Sequence, residues 1–417
     1  MTQPFHFPDR CVGALVFAAA ITTSAVASAG PVVYVTNVEQ LYDALNNQPN
    51  EGAGVVLAPG IYLLSAKDPA GNTRPHGGRL ELQRDMSLYG VAGDRAAVVI
   101  DAVEESRMPS TSFMTGVTFG RSGVVRVGIG TNTVEWLTIL GNPTAAAGIA
   151  TELTDPTEPI PASTTIRVAH VVSGGSSRGI DVRNAGMGMK ERRIDAELVD
   201  NELIGSTEPP QPNTMTEGIR LANFVGADRG VIVARLSGNV AHGFQFGCIV
   251  ANNRSSHAAL RVRSSGDRFF ANNLGCQVAG GLSQTTGVAN SNSTVFEAFG
   301  SEFFDNIAQI GGSQVIQDGI RGGIRVVGGL ATTSTDVVSG NTVSVSLTGS
   351  KVFGNQVVDF DAFGAFQAAL TGIAGTNNHV TITLRGVSRR IDVIAADSLP
   401  VDPSGSNTVT VLPSSAP

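Results

Sequence analysis

The stretch "GDRFFANNLGCQVAGG" runs from Gly266 to Gly281, and "GSEFFDNIAQIGG" runs from Gly300 to Gly312. The chain writes nearly the same phrase twice: Gly, a polar pair, Phe-Phe, Asn, then Gln between small or apolar residues. The core of the phrase recurs as "GIAT" (Gly148 to Thr151), "GIDV" (Gly179 to Val182), "GIRL" (Gly218 to Leu221), "GFQF" (Gly243 to Phe246), "GCQV" (Gly275 to Val278) and "IAQI" (Ile307 to Ile310). Its second positions, Ile149, Ile180, Ile219, Phe244, Cys276 and Ala308, lie 31, 39, 25, 32 and 32 residues apart. A short alternating strand that returns at such intervals, with turn residues between, reads as one coil of a solenoid. Alternate apolar residues face a narrow interior and stack on those of the coil before, ~4.8 Å away. Gly and Asn supply the left-handed backbone that turns the chain between faces. Helical repeats of similar period need long 3.6-residue periodic stretches, which Gly and β-branched residues interrupt here. An antiparallel sandwich leaves the repeated phrase unexplained.

Composition agrees. Of 417 residues 50 are Gly, and charged residues are 15%, below the roughly 25% of an ordinary soluble domain. The net charge of -7 with no basic block argues against a nucleic-acid partner. Residues 1–29 read as a signal peptide: Arg10, a short apolar run, then Ala27-Ser28-Ala29 as the cleavage site. No later stretch is long and apolar enough to span a bilayer as a helix, so the reading is an exported protein without a membrane span after cleavage: periplasmic, cell-surface or extracellular. Cys248 and Cys276 could form a disulfide in such a compartment. Their register looks two residues off, which favours buried free thiols.

The segment after the signal carries a resemblance. "VEQLYDALNN" (Val38 to Asn47) puts Val38, Leu41, Tyr42 and Leu45 on one helical face. It precedes "AGVVLAPGIYLL" (Ala53 to Leu64), with Pro59, Gly60 and Tyr62, and then "LELQRDMSLYGVAGDRAAVVID" (Leu80 to Asp101). This resembles the entry to the right-handed parallel β-helix of the pectin-lyase-like superfamily, where a helix caps the first coil and a strand ending in Pro-Gly-x-Tyr follows. The resemblance implies an all-β, single-stranded solenoid with an N-terminal capping helix. Residues 30–52 form the first strand and cap, 53–402 the β-helix, and 403–417 a terminal strand and tail. It implies little about function, because this fold carries lyases, hydrolases, epimerases, adhesins and non-catalytic modules.

In this fold a face of stacked strands flanked by long loops forms the usual groove. The outward residue of each phrase gives a column: Ala150, Asp181, Arg220, Gln245, Gln277 and Gln309, with Arg183 two residues beyond Asp181 on the same side. Amides and guanidinia in a row suit sugar hydroxyls and carboxylates. The competing reading is a structural face on which Asp181 pairs with Arg220 across adjacent rungs. Pro-rich stretches starting at Asn142 and Gly205 are candidate walls. His257, Ala259, Arg261 and Arg263 alternate and could share a strand face, and His242 is a further candidate. For a lyase, Arg220 would neutralise a uronate carboxylate and Arg183 or His257 would act as base.

The family's catalytic patterns are missing. There is no Asp cluster for calcium on the column, no "GHG" turn with paired Asp, and no "DPHD". "DFD" (Asp359 to Asp361) is a weak cation candidate, so no metal site is assigned and calcium is allowed without being required. Zinc spacing and a phosphate loop are also absent. Two functions remain open: binding, with or without lyase or hydrolase cleavage, of a polysaccharide on the polar face, or a non-catalytic surface or envelope module, adhesin-like or structural. The second predicts that changing the polar column leaves stability intact.

Overall fold

The computed structural model describes residues 30–46, 50–102, 110–111, 118–119, 123–141, 147–153, 159–184, 191–206, 215–283, 287–307, 310, 322–331, 336–355, 358–367, 375–387, 393–399 and 406–412. The signal segment lies outside them.

The chain winds through three parallel sheets of twelve, nine and ten strands. One coil shows the path: Arg178–Asn184 in the third sheet, Arg193–Val199 in the first, Glu202–Ile204 in the second, then Glu217–Asn223 back in the third. Each strand pairs in register with its equivalent one coil away, as in Ile180↔Ile219 and Leu198↔Leu236. This is a right-handed parallel β-helix, and the handedness is the one that parallel crossovers take.

The interior is built from ladders. The first sheet contributes Leu88, Val134, Val168, Leu198 and Leu236, and the second contributes Ile100, Ile139, Leu203, Phe269 and Phe303. The turn from first to second sheet needs one residue at positive φ. Gly238, Gly266 and Gly300 fill it at +68°, +65° and +60°, whereas Asp200 accepts the same conformation at +50°. The next residue turns inward and bonds its equivalent in the following coil: Asn201 Nδ2 donates to Asn239 Oδ1 (2.9 Å), and Asn239 Nδ2 to Asp267 Oδ1 (2.8 Å). Such ladders satisfy backbone and amide groups that the corner would otherwise bury unpaired. The "SGN" and "SGD" phrases of the sequence are these corners.

Helix α1 (Val38–Asn46) lies at the N-terminal end and buries Leu41, Tyr42, Ala44 and Leu45. Asn37 caps it, accepting from the Gln40 amide (3.0 Å), while Gln40 Oε1 accepts from the Thr36 amide (2.8 Å). Tyr62 is buried and donates to the carbonyls of Val35 (3.0 Å) and Ala58 (2.9 Å), tying the first coil to the strand before the helix.

Three expectations are corrected here. The coil after Ile219 aligns on Cys248 and not Phe244, so the strand is Phe246–Asn253 and "GFQF" precedes it. Cys248 therefore sits directly opposite Cys276, in register, and both are buried free thiols. The stretch from Asn142 is not wholly a wall, because Ala147–Ala150 is a third-sheet strand.

The thiols have a simple reason to stay reduced. Side chains in register on neighbouring parallel strands start ~4.8 Å apart, beyond the ~3.8 Å mean Cβ separation of a disulfide. A hydrogen bond between the two thiols, and then burial, push Cys248 well above the usual thiol range. Neither cysteine should be alkylated in the folded protein, and peptide mapping after unfolding without reductant should find both as free thiols. A bridged peptide would refute this.

Candidate functional site

The third sheet carries the column expected from sequence, with different members. Its in-register order is Glu81, Arg126, Ala150, Asp181, Arg220, Ile249, Gln277, Arg325, Asp361 and Ile394. Asp181, Arg220 and Gln277 stand where expected. Gln245 does not: Ile249 takes its place, and the Gln245 side chain accepts from the Thr216 amide (3.1 Å) in the preceding turn. Gln309 lies outside the described residues, and its expected rung is filled by Arg325.

The face is not an open groove. Asp181 is fully buried, Arg220 is 6% exposed and Gln277 4%. Around Asp181 four carboxylates and four guanidinia form one network. Asp181 accepts two bonds from Arg220, Nε to Oδ1 at 2.8 Å and Nη2 to Oδ2 at 2.5 Å, and Arg183 Nε stands 3.5 Å away. Arg183 also binds Glu152 (2.7 Å), which meets Arg126 at 3.4 Å. Arg126 pairs with Glu81, Arg178 with Glu217, and Glu217 with Arg220 at 3.4 Å. The charges balance. Burial alone would raise the Asp181 pKa, but the Arg220 and Arg183 guanidinia overcome it and hold the carboxyl well below the usual range. Burial also opposes the charge on Arg220, yet Asp181 and Glu217 keep it firmly protonated. Arg178 is shifted down by burial and by Arg220 beside it.

This arrangement gives Arg220 the wrong chemistry for a free carboxylate receptor, because Asp181 already occupies its fork. Arg183 keeps a little exposure, 18% of its side chain, but is shared between Asp181 and Glu152. His257 is elsewhere: exposed, at a positive φ of 55°, in the turn from third to first sheet, with its amide on the Asn290 carbonyl (3.0 Å). The structure gathers Arg183 and Arg220 but does not add a histidine to them.

Further along the same face the outer layer is apolar: Phe246, Ile249, Ala251, Leu274, Ala279 and Leu282 form a second buried cluster. The last polar pair is Arg325 with Asp361 (2.6 Å). Asp361 is thereby engaged, and Asp359 accepts from Asn355 Nδ2 (2.9 Å), so "DFD" is not an open pair of ligands. Among the described residues no group of three or more His, Cys, Asp or Glu is placed to hold a metal ion, and no helix is long and apolar enough to cross a membrane.

The other two sheets carry residues that the sequence named, Arg261 and Arg263 on one strand face and His242, together with neighbours that it did not. On the outside of the second sheet, His242, Phe270, Phe304 and Phe353 stack with centroids 5.1 to 5.3 Å apart. The alternation in "FFANN" and "FFDN" gives this away: one Phe of each pair is core, the other outward. His242 is thus a member of a stack. On the outside of the first sheet Arg235 and Arg263 are in register, with Arg261 on the same face. All three are exposed.

No family model matches the chain, and no curated protein does. Solved structures do match in fold. The A-module of a mannuronan C-5 epimerase from Azotobacter vinelandii is 13% identical, with a TM-score of 0.49 over 91% of this chain and 95% of that one. An alpha-1,3-glucanase catalytic domain is 10% identical, TM-score 0.34, over 92% and 68%. A periplasmic alginate epimerase is 11% identical, TM-score 0.32, over 91% and 84%. At such identities the likeness is one of chain path. The three parallel sheets and the helix at their N-terminal end define the architecture as a right-handed parallel β-helix.

Proposed function

We propose that the chain is an exported β-helix protein that binds a polysaccharide along its outer surface and does not cleave it. The observation that carries this reading is where the titratable groups stand. The charged cluster on the third sheet is buried and paired, while the polar groups left free for a ligand lie in rows on the exposed first sheet. In-register rows there include Glu297, Ser346 and Thr383, and Ser344 with Thr381. A rigid surface that repeats every ~4.8 Å suits a linear polymer that repeats too. Exposed rows along a solenoid are an extended binding surface of the kind such folds offer. The signal-like residues 1–29 support export, where polysaccharides are the abundant extended polymers.

The test is a paired measurement on the chain lacking residues 1–29. Acidic and neutral polysaccharides would be offered in affinity electrophoresis, and new reducing ends counted with and without calcium. Retardation by at least one polymer without new ends is expected. Release of ends, lost in Arg183→Ala, would establish an enzyme working at the third sheet. No retardation by any polymer would end the binding reading.

A further inference from the structure

We infer that Arg235, Arg261 and Arg263 form a binding site for an anionic polysaccharide on the first sheet, with Phe299 as its floor. This rests on the polysaccharide-binding reading and names the class of polymer and the place where it docks.

Among the described residues most arginines are engaged in ion pairs or hydrogen bonds. On the same sheet Arg167 holds Glu135 (2.7 Å) and Glu197 (2.5 Å), and Arg193 holds Asp195 (2.6 Å). On the second sheet Arg268 holds Glu302 (3.3 Å), and Arg95, in the turn before Val98–Asp101, holds Glu202 (2.7 Å). Arg235, Arg261 and Arg263 have no ion pair among the described residues, in a chain whose net charge is -7. Concentrating free positive charge in one place on an acidic protein costs repulsion, which an anion removes.

The groups that face the three are few. Arg235 lies in register with Glu197, which Arg167 already engages, and with Arg263. Arg261 is flanked by Val233 and Val295. Arg263 is in register with Glu297 yet lies over the Phe299 ring, 4.6 Å from its centroid. A guanidinium over a ring face meets it through its π-surface and keeps N–H donors for other partners. Arg235 and Arg263 start ~4.8 Å apart across the sheet, and Arg261 and Arg263 ~7 Å apart along the strand. These intervals allow successive anionic groups of an extended chain to be met one by one. The guanidinium fork suits carboxylate and sulfate alike, and the half-buried Phe299 and the neighbouring Ser265 face the uncharged part of the polymer.

Three dextrans sharing one backbone test this: unmodified, carboxymethylated and sulfated. Affinity electrophoresis of the wild type should show retardation by one or both charged forms that exceeds the neutral form at least tenfold in apparent affinity and weakens with salt. The triple variant R235Q/R261Q/R263Q should lose most of that preference. It should keep its circular dichroism, because all three side chains are exposed. The carboxymethyl and sulfate arms tell which anion the site takes. A wild type that is retarded equally by charged and neutral dextran overturns the inference and leaves the polysaccharide reading standing. So does a triple variant that retains the full charge preference. A wild type that binds neither these dextrans nor the wider panel, or that binds only anionic vesicles, overturns both.

Discussion

Replacing Arg220 with Ala should destabilise the protein by about 3–5 kcal/mol, the range for breaking a buried ion pair by removing one partner. Asp181 is fully buried and takes both of its strong hydrogen bonds from Arg220, so the variant strands a carboxylate, with Glu217 losing a neighbour as well. The sequence-based expectation that the polar column can be altered without loss of stability is therefore reversed, because the column is interior. Chemical denaturation followed by circular dichroism measures the effect. The double variant Asp181→Leu/Arg220→Leu should recover part of the loss, since it removes both charges and replaces them with apolar volume. An Arg220→Ala protein as stable as the wild type would mean the pair is not buried as described.

The second large effect concerns Asp267, which occupies a corner position held by Asn201 and Asn239 in the two coils before it and by Ser301 in the coil after. Its carboxylate accepts from the Asn239 amide (2.7 Å), Asn239 Nδ2 (2.8 Å) and Ser264 Oγ (2.5 Å). Burial outweighs these bonds and pushes its pKa up to about 6, from 3.8. The folded state thus holds this proton longer than the unfolded state. Stability from this group is complete below about pH 4, falls as pH rises through about 6, and changes no further above that. The difference corresponds to ~3 kcal/mol. Asp267→Asn keeps an oxygen for Asn239 and cannot ionise. Relative to wild type, the variant should therefore gain up to ~3 kcal/mol between pH 4 and pH 7. Denaturation midpoints of both proteins across that range decide it. Parallel curves would show that Asp267 does not titrate there. Asp181 acts with the opposite sign, at more acid pH, which is why the comparison must be between variant and wild type.

The repeated phrase, the cap and the corner turns were legible because they depend on local chemistry. Apolar residues at alternate positions, a Gly or Asp that accepts positive φ, and an Asn that must bond its counterpart leave marks in any coil. From these marks the sequence pointed to a parallel β-solenoid; the resemblance added a capping helix within Val38 to Asn47, and the pairing of Asp181 with Arg220 stood as one of two readings of the column. The tertiary structure alone decided which faces are outside. The third sheet is buried on both sides, so Phe246 and Ile249 break the inside-outside alternation that sets register. That is why "GFQF" reads as a rung in the sequence although Gln245 lies in the turn before Phe246–Asn253, and why Cys248 reads as out of register with Cys276. It is also why Arg325 had no rung until the strands were paired. Whether a guanidinium is spent or free depends on the carboxylates that distant coils bring beside it. Arg220 has its carboxylate 39 residues away, and Arg263 has no carboxylate in an ion pair among the described residues.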